Sequence, residues 1–461
     1  MSEPNILGTK PEGALLRQFA IPSIIAMLVG SLYNIVDQFF IGNTVGELGN
    51  AATNITFPFS ISCIALALMF GIGGASAFNL SMGEGEPDRA KHYIGNCVTL
   101  SIASGLILTI IVLLFTKPLL IAFGSPDEVL PYALTYARIT AFGFPFLILS
   151  AGGAHILRAD GNPRMTMVVN ITGAGINTIL DAIFVFVLGW GIAGAAIATV
   201  IGQAISASIV LGYLPRFRTV PLTRDTFVPN TESVGRIVSL GMAPFFNQMS
   251  LMIVQVVTNN LYKHYGAASI YGESIPIAVA GIGTKIFHVA GSFVIGISQG
   301  LQPIASFNYG ARQYDRVKKS YMIAIKSAAV ICIIFCVLFQ AFPDKLIGIF
   351  GNGTDLYVEF GVKYVRICLF LICIFFMQPI TSNFFTAIGM PKKGVFLSLT
   401  RQIIFLLPLL FILPIFFGID GLLYSIPIAD FSAALVCLVM IIHEMKKEKY
   451  QQSSWYGPED D

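Results

Sequence analysis

The chain has 461 residues, 55% of them hydrophobic and 11% charged, with a formal net charge of +3. Soluble domains carry roughly 25% charged residues, so a soluble core has no room for this much apolar surface. The basic residues sit in short loops with no interleaved aromatics, which excludes a nucleic-acid-binding stripe and leaves an all-α integral membrane protein.

Roughly 20 apolar residues cross a bilayer, and by that rule about twelve transmembrane helices follow in chain order. Met1 to Gly13 is polar and carries no signal-peptide pattern; the apolar run after it is long enough to be a retained anchor. Helices are predicted over residues 15–42, 51–82, 92–115, 129–157, 163–188 and 191–214. The polar, Arg-rich stretch from Pro215 to Asn230 then reads as a linker. Six more helices are predicted over 236–262, 275–307, 317–342, 356–388, 392–416 and 420–443. The expected division is an N-terminal lobe of 1–214, a cytoplasmic linker of 215–235, a C-terminal lobe of 236–445 and a charged tail of 446–461.

The second lobe repeats the first. Leu157-Arg158-Ala159-Asp160-Gly161-Asn162-Pro163 returns as Phe385-Thr386-Ala387-Ile388-Gly389-Met390-Pro391, about 228 positions later. The same offset carries Tyr136-Ala137-Arg138 onto Tyr364-Val365-Arg366, and nearly the same one carries Gly191-Ile192-Ala193-Gly194 onto Gly418-Ile419-Asp420-Gly421. Lys and Arg gather on one side, among them Arg89, Lys91, Arg216, Arg218, Lys318, Lys319, Lys446 and Lys447. The other side has little beyond Lys117, Lys263 and Lys345. Both termini are therefore expected in the cytoplasm. Each half then has an even number of spans, and the repeat is parallel, about an axis along the membrane normal. Many secondary transporters are built from such repeats, with the site at their interface.

Acids inside the apolar runs are few. Asp37 lies late in helix 1, after Tyr33, and Asp181 lies in helix 5. Asn177 precedes Asp181 by four positions and shares its helix face; helix 6 adds Thr199. Placing an acid at a helix centre costs roughly 2.5–3.5 kcal/mol, so a convergence of Tyr33, Asp37, Asn177, Asp181 and Thr199 points to function rather than to helix bridging. Burial and mutual repulsion favour the neutral form of one carboxyl, so such a site holds a proton; the same oxygens also suit a small hard cation. Pro22 lacks an amide proton and disturbs helix 1 inside its span.

Other polar residues read more plainly. Asp430 in helix 12 is expected to hydrogen-bond between helices, Glu273 to be solvated and Asp420 to lie in an outer loop. Arg138 and Arg366 suggest a shared architectural role, whereas Lys285, His288 and Lys326 snorkel or face a cavity. The glycine run Gly71-Ile72-Gly73-Gly74 fits close helix packing. The seven cysteines lie in apolar runs without metal spacing and read as small hydrophobes.

At these residues the chain resembles the multidrug and toxic compound extrusion (MATE) transporters, of the MepA-like or DinF-related branch. The resemblance rests on Ile21-Pro22, Tyr33-Asn34 and Asp37, the Asn177/Asp181 pair, the Gly194 to Thr199 run and the repeated Arg158 to Pro163 loop, and it covers nearly the whole chain. It implies a V-shaped cavity between two six-helix lobes, bounded by helices 1, 2, 7 and 8, in a bacterial or archaeal cytoplasmic membrane. It implies export of amphipathic, often cationic drugs by a lipid-embedded monomer without cofactor, in exchange for protons or sodium ions. The ion-coupling group carried over is Asp37, Asn177, Asp181 and Thr199, with Tyr33 beside it. Asn34, Asn247 and Gln248 are the expected cavity residues. The NorM-like branch places an acid in helix 7, and this chain has none there, which shifts the expected coupling to the N-terminal lobe.

Three rival functions are weaker. A lipid-linked precursor flippase of the same superfamily often adds helices and lines its cavity with several cations. An integral-membrane enzyme needs a ligand cluster that the sequence lacks. An ATP-driven pump fails for want of a phosphate-binding loop.

Overall fold

The computed structural model describes residues 5–348, 354–447 and 450, with side chains throughout except at 34, 35, 38, 39, 42–44 and 47. Among these residues the chain is helical, without strands. The long helices are α1 (Glu12–Thr44), α2 (Glu47–Glu84), α3 (Pro87–Ala122), a bent α4 (Leu130–Ala141 and Phe144–Ala159), α5 (Pro163–Val187) and α6 (Gly191–Tyr213). After the linker come α7 (Thr231–Ala267), α8 (Ser274–Gly310), α9 (Tyr314–Ala341), α10 (Asp355–Ala387), α11 (Pro391–Phe417) and α12 (Ile419–Met445). Eleven are long and apolar enough to cross a membrane, and twelve when the bent pair counts as one span. The tail predicted from 446 lies mostly outside the described residues.

The helices outrun the apolar stretches that predicted them. α2 has 38 residues, about 57 Å at 1.5 Å per residue, against a hydrocarbon core of about 30 Å; its ends project past the apolar layer. α4 departs from the single helix expected over 129–157. It bends by 57° between Ala141 and Phe144, where Pro145 withholds an amide and favours a helix start instead. α10 breaks at the matching place, between Cys368 and Ile372.

The repeated loop has a conformational cause. Gly161 and Gly389 hold φ +77° and +78°, a left-handed geometry that glycine adopts without strain. The prolines two positions later open α5 and α11.

The lobes interlock. Leu15, Leu16, Phe19 and Ala20 of α1 pack in the second lobe with Leu301, Tyr321 and Phe384. Ile237 and Leu240 of α7 pack in the first lobe with Phe78 and Tyr93. Further along, α1 returns to the first lobe, where Ile41 meets Val185 and Ala195. α7 likewise returns to the second, where Val254 and Tyr262 meet Phe360 and Tyr364. The glycine run packs closely, as read: a Cβ on Gly73 would fall 2.1 Å from the Ile237 oxygen, and one on Gly241 1.9 Å from that of Met69. Only hydrogen fits at this crossing.

Inter-lobe polar contacts sit toward one end, the side carrying the first residues and the linker. Gln302 Nε2 donates to Ser76 Oγ (3.1 Å) and the Ile72 oxygen (3.3 Å). Asn308 Nδ2 donates to the Leu7 oxygen, and Arg316 pairs with Glu12 at 3.3 Å. Among the described residues, the contact farthest from that end is Ser31 Oγ to Ser292 Oγ, 3.1 Å. The linker is clamped rather than loose. Buried Asp160 accepts from Tyr213 Oη (2.7 Å), from the Arg218 and Thr219 amides and from the Thr219 hydroxyl. Asn96 donates to the Thr226 and Val228 oxygens and accepts from the Asn230 amide.

Candidate functional site

The first lobe gathers the predicted polar residues from three helices. α5 presents Asn177 and Asp181 on one face, 3% and 0% exposed. Asp181 ends the regular helix, and Ala182–Val187 continue as a π-helix, a widened turn often found at functional sites. α1 brings Tyr33 and Asp37, and α6 brings Thr199. Asn177 Nδ2 donates to Thr199 Oγ1 (3.2 Å), and Thr199 donates to the Ala195 oxygen (3.0 Å). The phenols of Tyr33 and Tyr136 lie beside this pair.

Asp37 and Asp181 lie close enough to interact electrostatically, and neighbouring carboxyls favour sharing a proton or flanking a cation. Asp37 Oδ1, both Asp181 oxygens and Asn177 Oδ1 have no hydrogen-bond partner among the described residues. Buried oxygens without donors are costly. Here they form a set of acceptors suited to a proton or a small hard cation. A cavity of about 170 Å³ adjoins the cluster, lined by Tyr33, Asn170, Asn177, Thr199, Gln203 and Ser206.

The second lobe encloses a cavity of about 140 Å³ among α7, α8, α10, α11 and α12. Asn247 and Gln248 are half-buried on α7 and line neither cavity; Gln255 and Asn259, further along, line the second. The side chain of Asn34 lies outside the described residues. These cavities lie inside the lobes, whereas α1 packs on α8 and α2 on α7 along the seam. Pro22 is buried within a continuous α1.

Asp430 does bridge helices, accepting from Arg401 Nε of α11. Asp420 is not in a loop: it belongs to the first turn of α12, where an acid is favoured, and pairs with Lys363 at 2.7 Å. Glu273 is solvated, and Arg138, Arg366 and Lys326 are exposed. Sequence reasoning missed two residues that the cavities use, Gln203 and Arg401, and Tyr136 beside the acid cluster. Tyr136 was visible as part of a repeated triplet, and Gln203 as an amide in a small-residue run. Arg401 was visible as a lone cation inside an apolar stretch, a position as costly as that of the acids.

A duplicated, interlocked bundle of membrane-length helices with a donor-poor acid pair in one lobe defines a membrane transporter built from parallel repeats. The chain belongs to the MatE family, whose sequence model matches residues 22–183 and 245–412, and is a transporter of the MATE type. It is 23% identical over 427 residues to the multidrug export protein MepA of Staphylococcus aureus (strain MSSA476), covering 92% of each chain. It is 25% identical over 429 residues to MepA of Staphylococcus haemolyticus (strain JCSC1435), again over 92% of each. A solved MOP superfamily transporter from Pyrococcus furiosus superposes with a TM-score of 0.89 at 24% identity, over 96% of this chain and 98% of that one. That likeness concerns the fold.

Proposed function

We propose that the chain is a secondary active multidrug antiporter, exporting amphipathic, often cationic compounds in exchange for protons or sodium ions. The observation that carries this reading is the pair Asp37 and Asp181, of which Asp37 Oδ1 and both Asp181 oxygens lack donors among the described residues. The names of the staphylococcal relatives support the substrate class. The side bearing the first residues and the linker is assigned to the cytoplasm, on the Lys and Arg bias, and the lobes and linker divide at 215 and 235. The protein acts as a monomer in lipid and needs no cofactor.

Tyr33, Asp37, Asn177, Asp181 and Thr199 bind the coupling ion. Occupancy by a proton or a monovalent cation removes one of the pair's two negative charges and changes what α1 packs against, so that α1 bends or straightens and moves the chamber wall. Departure of the ion restores the charge and the first arrangement. Protons are favoured over sodium, because two adjacent acids suffice for a proton whereas sodium needs more oxygens correctly placed. A flippase reading requires several cavity cations; Arg401 is the one arginine lining either lobe cavity among the described residues, and it is paired. Transport in proteoliposomes with proton and sodium gradients imposed separately tests the proposal. Export of a cationic dye driven by either gradient is expected, and none under either would overturn it.

A further inference from the structure

The second-lobe cavity carries chemistry opposite to the first. Arg401 is 8% exposed and projects from the π-helical turn Thr400–Leu406 of α11. Its Cζ stands 5.7 Å from the Phe287 ring centroid and 5.3 Å from that of Phe375. A guanidinium has five N–H donors. Nε spends one on Asp430; among the described residues the two terminal nitrogens make no hydrogen bond. A structural ion pair within a membrane saturates its donors, because an idle one is expensive there. Gln402, 4% exposed, likewise leaves its amide without a partner among the described residues and lines the same cavity.

The pair is not inherited from the shared architecture. The offset of 228 that aligns α11 with α5 carries Arg401 onto Gly173, and the offset of 227 that aligns Gly418 with Gly191 carries Asp430 onto Gln203, two uncharged residues that line the first-lobe cavity. Two lobes of one fold thus present a chamber lined by uncharged amides and hydroxyls beside an acid pair, and a chamber lined by an arginine with its aspartate.

We propose that the second-lobe chamber is a carboxylate subsite, taking the acid group of amphipathic zwitterionic compounds. The proposal rests on the export reading above and narrows its substrate class. The edge of Arg401 bearing the two terminal nitrogens matches a carboxylate in a bidentate pair. Asp430 already balances the arginine, so a bound carboxylate leaves one net negative charge. A ligand with its own basic nitrogen cancels it. Phe287, Leu406 and Ile426 line the chamber for the apolar body, and Asn259 supplies a further amide.

The test uses the purified full chain and two dyes that differ in one group: rhodamine 110, a xanthene cation with a free carboxylate, and its methyl ester. Fluorescence anisotropy gives both affinities. The double variant Arg401→Gln/Asp430→Asn removes the pair without orphaning either charge. It is expected to lower the acid-to-ester affinity ratio by about tenfold or more, the scale of a lost charged hydrogen-bonding pair. If that variant does not fold, Asn259→Leu is expected to lower the same ratio about threefold. An unchanged ratio makes Arg401 a structural residue and overturns the inference. If the wild type binds and exports the ester but does not bind the acid, the inference falls and the export reading stands. If it handles neither dye, both fall.

Discussion

Asp181 and Asp37 concentrate the cost of the first-lobe site. Among the described residues neither carboxyl has a basic partner, and Asp37 Oδ1 and both Asp181 oxygens lack donors, an arrangement suited to an exchangeable proton or cation. Asp181→Asn and Asp37→Asn each remove the exchangeable charge at almost constant volume. Each variant is expected to fold, to keep dye affinity within about threefold, and to lose gradient-driven export; a thermal-shift and a transport assay separate these effects. Thr199 accepts from the Asn177 amide and stands beside Tyr33 and Tyr136. Thr199→Val strands the Asn177 amide and is expected to lower stability by about 1–3 kcal/mol, read by denaturation in detergent. Asp160 belongs to the same scale but to a different task. Its carboxylate satisfies two linker amides and two hydroxyls. Asp160→Ala is expected to expose the linker to protease at a lower temperature than in wild type, while the transmembrane helices remain intact.

Among the elements, α1 and α7 share a design. Each begins in the other lobe's core and ends in its own, and each carries a proline near the changeover, Pro22 after Ala20 and Pro244 after Leu240. A proline inside a helix removes one hydrogen bond and makes that turn the easiest to bend. Pro22→Ala and Pro244→Ala are each expected to raise thermal stability and slow transport, and the double variant more so; unchanged rates in both would remove the hinges. The helices themselves were largely legible, because apolar length is a strong signal, and so was Pro22. The bend of α4 and the break of α10 were not, since a proline at a helix start and one that kinks a helix look alike in sequence. The crossing of α1 and α7 was invisible too, because their core-facing residues are apolar in either lobe. The cluster of Tyr33, Asn177, Asp181 and Thr199 was readable from helix spacing and insertion cost. Arg401 carried the same cost but was overlooked while positive charge was weighed as a guide to orientation.

In the whole molecule, the inter-lobe hydrogen bonds run from the terminal side up to Ser31 and Ser292 among the described residues, so the lobes are joined at one end of a repeat-built bundle. Exchange between the two sides requires this seam to part. Ser31→Cys/Ser292→Cys, replacing hydroxyls 3.1 Å apart, is expected to form a disulfide that stops transport and releases it on reduction. Transport that persists with the disulfide formed would show that the seam stays closed throughout the cycle. The central claim, that the first-lobe acid pair couples the ion gradient to export, is tested most directly by reconstituting the wild type, Asp37→Asn and Asp181→Asn in proteoliposomes. Dye export is then measured under a proton gradient and, separately, a sodium gradient. The account predicts that the wild type responds to at least one gradient and that neither variant responds to either, although both still bind the dye. Wild-type rates from both variants under both gradients would contradict it.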